Sequence, residues 1–165
     1  MKRIFLTFCS LVLLLSLSGC RDRDASPQPE EPASSSEAGS GEASASAGEI
    51  TVTAGGREFS AVLCENAAAG ELLEMLPLTL NMSELNGNEK YFYLDRGFTG
   101  EPVTPSSIRA GDIMIFGSDC LVLFYEDFTT SYSYTPIGRI ENPEGLAEAL
   151  GDGNVQVSFS SGSVN

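Results

Sequence analysis

The sequence predicts a mainly β protein: a closed antiparallel β-barrel of about eight strands with two flanking α-helices. Short β-branched and aromatic runs recur between turn signals rich in Gly, Asn and Asp. Only two stretches carry apolar residues at helical spacing. The hairpin over residues 111–126 is apolar on both faces: Ile113 and Ile115 alternate with Met114 and Phe116, and Leu121 and Leu123 with Val122 and Phe124. Such strands need cover on both sides. The inner side chains are expected to fill a barrel and the outer ones to sit under the two helices.

Residues 1–20 start with Lys2 and Arg3, continue through an apolar run and end in Leu17-Ser18-Gly19-Cys20. The run is too short to span a bilayer comfortably and ends in small residues, as an export signal does. Its last four residues match the bacterial lipoprotein signal, in which the cysteine thiol receives a diacylglycerol. The expectation is a bacterial cell-envelope protein, extracytoplasmic and held to its membrane partner by lipid on Cys20; at about 0.8 kcal/mol per buried methylene, two or more chains anchor stably. Residues 21–48 are Ser, Ala, Gly, Glu and Pro-rich, with no aromatic or β-branched residue. That composition buries too little apolar surface to offset ordering entropy, so the segment reads as a disordered acidic tether reaching roughly 30 Å.

The folded domain is expected over 49–160, with a loose tail at 161–165. Ile50 and Val52, then Phe59, Ala61 and Leu63, flank Gly55-Gly56 as a first hairpin. Asn66 is placed to cap a helix carrying Ala69, Leu72, Leu73 and Leu76 on one face, and Pro77 forbids its continuation. A strand over 78–82, a polar loop over 84–90 with Asn86-Gly87-Asn88, and a strand over 91–94 follow. Residues 95–110 read as a loop. Beyond the doubly apolar hairpin, 132–140 reads as a strand. Asn142 as cap, Pro143 in the first turn and Gly151 as stop then mark a second helix, each helix running to roughly ten residues. Val155, Val157 and Phe159 share a face of the last strand.

Nine Lys and Arg stand against 23 Asp and Glu, a formal charge of -14, which argues against binding nucleic acid. Histidine and tryptophan are absent, which removes imidazole base chemistry, histidine metal sites and the Ser-His and Cys-His nucleophile pairs. There is no Cys-x-x-Cys, no P-loop and no telling carboxylate pair, so no metal site, cofactor or catalytic residue is assigned. Cys64 and Cys120 fit either a disulfide, as exported domains allow, or two buried thiols.

Leu76-Pro77-Leu78-Thr79-Leu80-Asn81-Met82, Leu85-Asn86-Gly87-Asn88-Glu89-Lys90-Tyr91, Gly111-Asp112-Ile113-Met114-Ile115-Phe116-Gly117, Leu121 to Tyr125, Ser131-Tyr132-Ser133-Tyr134-Thr135 and Ile137-Gly138-Arg139-Ile140 resemble the bacterial cyclophilin-like domain family. The resemblance covers about residues 49–160 and implies a cyclophilin-type barrel of eight strands capped by two helices. That family has no settled biochemical role. Pro136 departs from the basic or polar residue expected there. Peptidyl-prolyl isomerases of the same fold use an arginine beside phenylalanine, glutamine, histidine and tryptophan; this chain lacks the last two types and has only Gln28 and Gln156.

Two clusters are candidates for binding a peptide, protein or small molecule. Asn86, Asn88, Glu89, Lys90 and Tyr91 gather amide, carboxylate and amine groups near one loop; the bland alternative is turn chemistry with solvated charges. Tyr132, Tyr134 and Arg139 offer phenols and a guanidinium for stacking or hydrogen bonding; here the alternative is packed tyrosines and an arginine paired with an acid. The leading expectation is a binding module. The alternative is an enzyme, a residual prolyl isomerase or a partner of redox proteins.

Overall fold

Gly55 and Gly56 take φ of 56° and 78°, the left-handed geometry of a tight hairpin turn, so β1 (Ser46–Ala54) folds directly onto β2 (Arg57–Cys64). The computed structural model describes residues 46–162. The expected export signal with Cys20, the tether up to residue 45 and residues 163–165 lie outside the described residues. Next in the chain are α1 (Ala67–Glu74), β3 (Leu78–Leu85), β4 (Glu89–Tyr93), β5 (Asp112–Phe116), β6 (Cys120–Phe124), β7 (Tyr134–Ile140), α2 (Leu146–Leu150) and β8 (Val155–Ser161). Every pairing is antiparallel, and the order β1-β2-β7-β5-β6-β4-β3-β8 closes through β8 and β1. The fold is therefore the closed, mainly β barrel that the alternation predicts.

One apolar cluster fills the interior. Ile50 and Val52, Ala61 and Leu63, Ile113 and Ile115, Leu121 and Leu123, and Val157 and Phe159 all face into it. Ala68, Ala69 and Leu72 of α1 and Leu146 and Leu150 of α2 join the same cluster. The helices thus spend their apolar faces on the interior, and they do not cover the outside of the β5–β6 hairpin as expected. Its outer residues Met114, Cys120, Val122 and Phe124 form a second cluster with Ile108 and Tyr134, flanked by Tyr91 and Phe128. The cover comes from the long connections. Ile108 and Phe128 exchange two backbone hydrogen bonds (2.8 and 3.2 Å), and Val103 and Tyr134 two more (2.8 and 2.9 Å), which pin the loops across the hairpin.

Asn66 caps α1 as predicted, and its side chain works twice. Oδ1 accepts from Ala69 N at 2.8 Å, satisfying a free helix donor, while Nδ2 donates to Pro136 O at 2.8 Å. Pro136 is tolerated inside a barrel strand because it sits at a register shift: β5 pairs Ile113 with Gly138 but Met114 with Pro136.

The second helix is shorter than predicted, only five residues. Asn142 Oδ1 does accept from Glu144 N (3.1 Å), but it caps a turn. Gly145 then adopts φ 77°, and Arg57 donates to the carbonyls of Glu144 and Gly145, both at 3.2 Å. The first turn is therefore diverted before the helix begins. The loop predicted over 84–90 is likewise shorter. Asn86 and Gly87 take φ of 57° and 74°, β3 runs on to Leu85 and β4 starts at Glu89, leaving only 86–88 as the turn. Cys64 and Cys120 are both free thiols.

Candidate binding cleft

Strand alternation sorts β4 by chemistry. Lys90 and Phe92 turn into the barrel, while Glu89, Tyr91 and Tyr93 face outward and line a cleft of about 520 Å³. The register builds its floor: Tyr93 opposes Cys120, Cys120 opposes Phe116, and Phe116 opposes Tyr134, one row across β4, β6, β5 and β7. A second row sets Tyr91 against Val122. One wall is the segment from Phe128 to Tyr132, and the other is the β3–β4 turn with Leu85, Asn86 and Asn88.

The rings brace one another edge to face. Tyr91 and Tyr93 lie 5.8 Å apart at 80°, and Phe116 and Tyr132 5.9 Å apart at 87°. Phe124 supports Tyr134 from below at 5.5 Å. Tyr93 and Tyr132 nevertheless remain 60% and 63% exposed, so their ring faces are free for a ligand.

The cleft is acidic, and its donors are neutral amides and hydroxyls. Glu89 is 9% exposed, and its carboxylate has no hydrogen-bond or ion-pair partner among the described residues. Burial, then the charge of Glu84, pushes its pKa above the ordinary carboxylate value. Next to it in sequence, Asn88 Oδ1 is buried without a hydrogen-bond partner among the described residues. Burial pushes the Cys120 thiol up to about 11 and raises the Tyr134 phenol, with Glu89 adding to both. Among the described residues, no Lys or Arg lines the cleft.

Of the sequence candidates, Asn86, Asn88, Glu89, Tyr91, Tyr132 and Tyr134 come together here. Lys90 does not. It is fully buried on the inner face, where Nζ donates to Glu84, to Gly151 O (2.6 Å) and to Gly153 O (2.8 Å). Arg139 does not either: it lies five residues along β7 from Tyr134, roughly 16 Å at strand rise, and pairs with Asp112 at 3.1 Å. Tyr93, Phe116, Val122 and the 128–131 wall were not singled out from the sequence. Period-two reading from Glu89 would have added Tyr93 and rejected Lys90; nothing local marks Phe128 as a wall.

An eight-stranded antiparallel barrel with a filled interior, two helices packed into its core and its cleft on the outer face is a barrel of cyclophilin type. The chain belongs to the Cyclophilin-like family, whose profile matches residues 52–160. No curated protein matches it.

Proposed function

We propose that the protein is a lipid-anchored, extracytoplasmic binding module whose cleft holds a peptide or small-molecule ligand. One observation carries the binding reading. The exposed large apolar residues among those described are Leu85, Tyr93, Val103, Phe116 and Tyr132, and all but Val103 line this cleft. Scattered apolar residues need no explanation, but their gathering in one concavity with convergent polar groups does. Support for the anchor is the Leu17-Ser18-Gly19-Cys20 motif alone. Isomerase chemistry of the cyclophilin kind uses an arginine at the cleft; Arg139, the candidate for it, is held by Asp112 instead.

Thermal-shift screening of short peptides and small molecules tests the cleft. A true ligand raises Tm with concentration by mass action, and Tyr93→Ala/Tyr132→Ala abolishes the shift while leaving the fold intact. A shift unaffected by the double variant, or no shift with any probe, refutes the reading. Labelled palmitate should enter the wild type and not Cys20→Ser; equal labelling would remove the anchor. A proline-isomerisation assay should give buffer rates.

A further inference from the structure

Resting on the binding reading above, we infer that the cleft takes a peptide presenting a basic side chain, lysine or arginine, against Glu89. Glu89 is only 9% exposed as a residue, a partly desolvated carboxylate is costly without a counter-charge, and this one has no hydrogen-bond or ion-pair partner among the described residues. The neighbouring cation cannot serve: Lys90 points to the opposite face of β4 and holds Glu84 and two backbone carbonyls. The unpartnered Asn88 Oδ1 asks for a donor as well. Both groups are acceptors, and a basic side chain brings N–H donors together with positive charge.

The walls agree. Tyr91, Tyr93 and Tyr132 line the same cleft, and tyrosine rings attract a cation. A ligand carboxylate or phosphate would meet Glu89 with no basic residue lining the cleft to offset it. The remaining polar wall is neutral, from Asn86, Thr129, Thr130 and Ser131, and suits peptide amides better than a second charge. At about 520 Å³ the cleft is far larger than an ammonium head alone, so the rest of the peptide fills it.

Isothermal titration of the purified full-length protein with four capped peptides, identical except for Lys, Arg, norleucine or Glu at the centre, tests this. The Lys or Arg peptide should bind about tenfold or more tightly than norleucine, and the Glu peptide should not bind. Glu89→Gln should erase about that tenfold preference while the norleucine affinity stays, and Glu58→Gln, an equal charge loss away from the cleft, should change nothing. If norleucine or Glu peptides bind as tightly as Lys, the cleft still binds but this inference falls. It also falls if Glu58→Gln weakens binding as much as Glu89→Gln, since net charge then explains the preference, or if n-butylammonium equals the Lys peptide, since no peptide is then needed. Failure of every peptide and of the wider ligand screen refutes the binding module together with the inference.

Discussion

Replacing Lys90 by methionine keeps the apolar stem and removes the ammonium from a fully buried position. Three donations disappear at once, to Glu84, to Gly151 O at 2.6 Å and to Gly153 O at 2.8 Å. Hydrogen bonds to a charged group are worth about 1.5–3 kcal/mol each, a gross loss of several kcal/mol. Part returns, because the Glu84 side chain is 20% exposed and keeps Tyr125 Oη (2.8 Å) and Gly87 N (2.8 Å), and the two carbonyls lie in an exposed loop. The net cost should be about 3–5 kcal/mol, the usual loss on breaking a buried pair. Urea unfolding of the purified protein at pH 7 would show it as a midpoint lowered by about 2 M. Lys90→Met/Glu84→Gln should cost less than the sum of the single changes by about 1–3 kcal/mol. The sign with pH also follows. Burial acts to raise the Glu84 pKa, but hydrogen bonds from Lys90, Tyr125 and Gly87 outweigh it and hold the folded value low. The network's contribution is therefore full above the unfolded carboxyl value of about 4.3 and fades as pH falls through the lower folded value. The gap between wild type and Lys90→Met should narrow there. A Lys90→Met protein within 1 kcal/mol of wild type, or strict additivity with Glu84→Gln, would refute this account of the barrel's polar lock.

Glu89→Gln should stabilise the free protein by about 1 kcal/mol at pH 7, since it removes a buried unpaired charge. As Glu89's folded pKa is raised, the wild type loses stability as pH rises from the unfolded to the folded value; melting temperatures should converge below about pH 4 and separate above. Gly138→Ala should destabilise by about 1–3 kcal/mol in the same urea assay, because its Cβ would lie 2.5 Å from Val62 O and 3.1 Å from Leu63 Cα on the paired strand. Thiol titration should find Cys64 and Cys120 free with or without reductant. With the Cys120 thiol pushed up to about 11, its alkylation at pH 8 should run about a hundredfold slower folded than unfolded.

The barrel was legible because it is written locally. Gly55-Gly56, Asn86-Gly87 and Gly117-Ser118-Asp119 fix three hairpins, and Ile113, Ile115, Leu121 and Leu123 declare which side is inside. The errors arose where distant residues decide. Arg57 lies 87 and 88 positions from the carbonyls it takes in the first turn of the second helix, and no pattern near Asn142 reveals that competition. The same applies to the cover of Met114 and Phe124. Ile108 and Phe128 reach it through a backbone bridge between two segments with no strand signal, so local pattern points to the helices for a face that loops protect. For the cleft, residue type pointed to the right neighbourhood and parity was the missing step. Glu89 and Lys90 look like one polar cluster in the sequence, yet adjacent residues on a strand face opposite ways.

That parity has a consequence for function. On β4 the positive charge faces inward and is engaged by Glu84 and the loop at Gly151 and Gly153, while the negative charge faces the cleft and has no hydrogen-bond or ion-pair partner among the described residues. A fold optimised only for stability would place an apolar residue at 89, opposite Phe124 and beside Tyr91. The inner lock supplies stability that a one-residue shift could not exchange with the outer site, since slippage would bring Lys90 into the cleft and Glu89 into the core. Register therefore fixes the placement of this carboxylate as well as the core, and the strand that ties the barrel together also sets Glu89 on the cleft side.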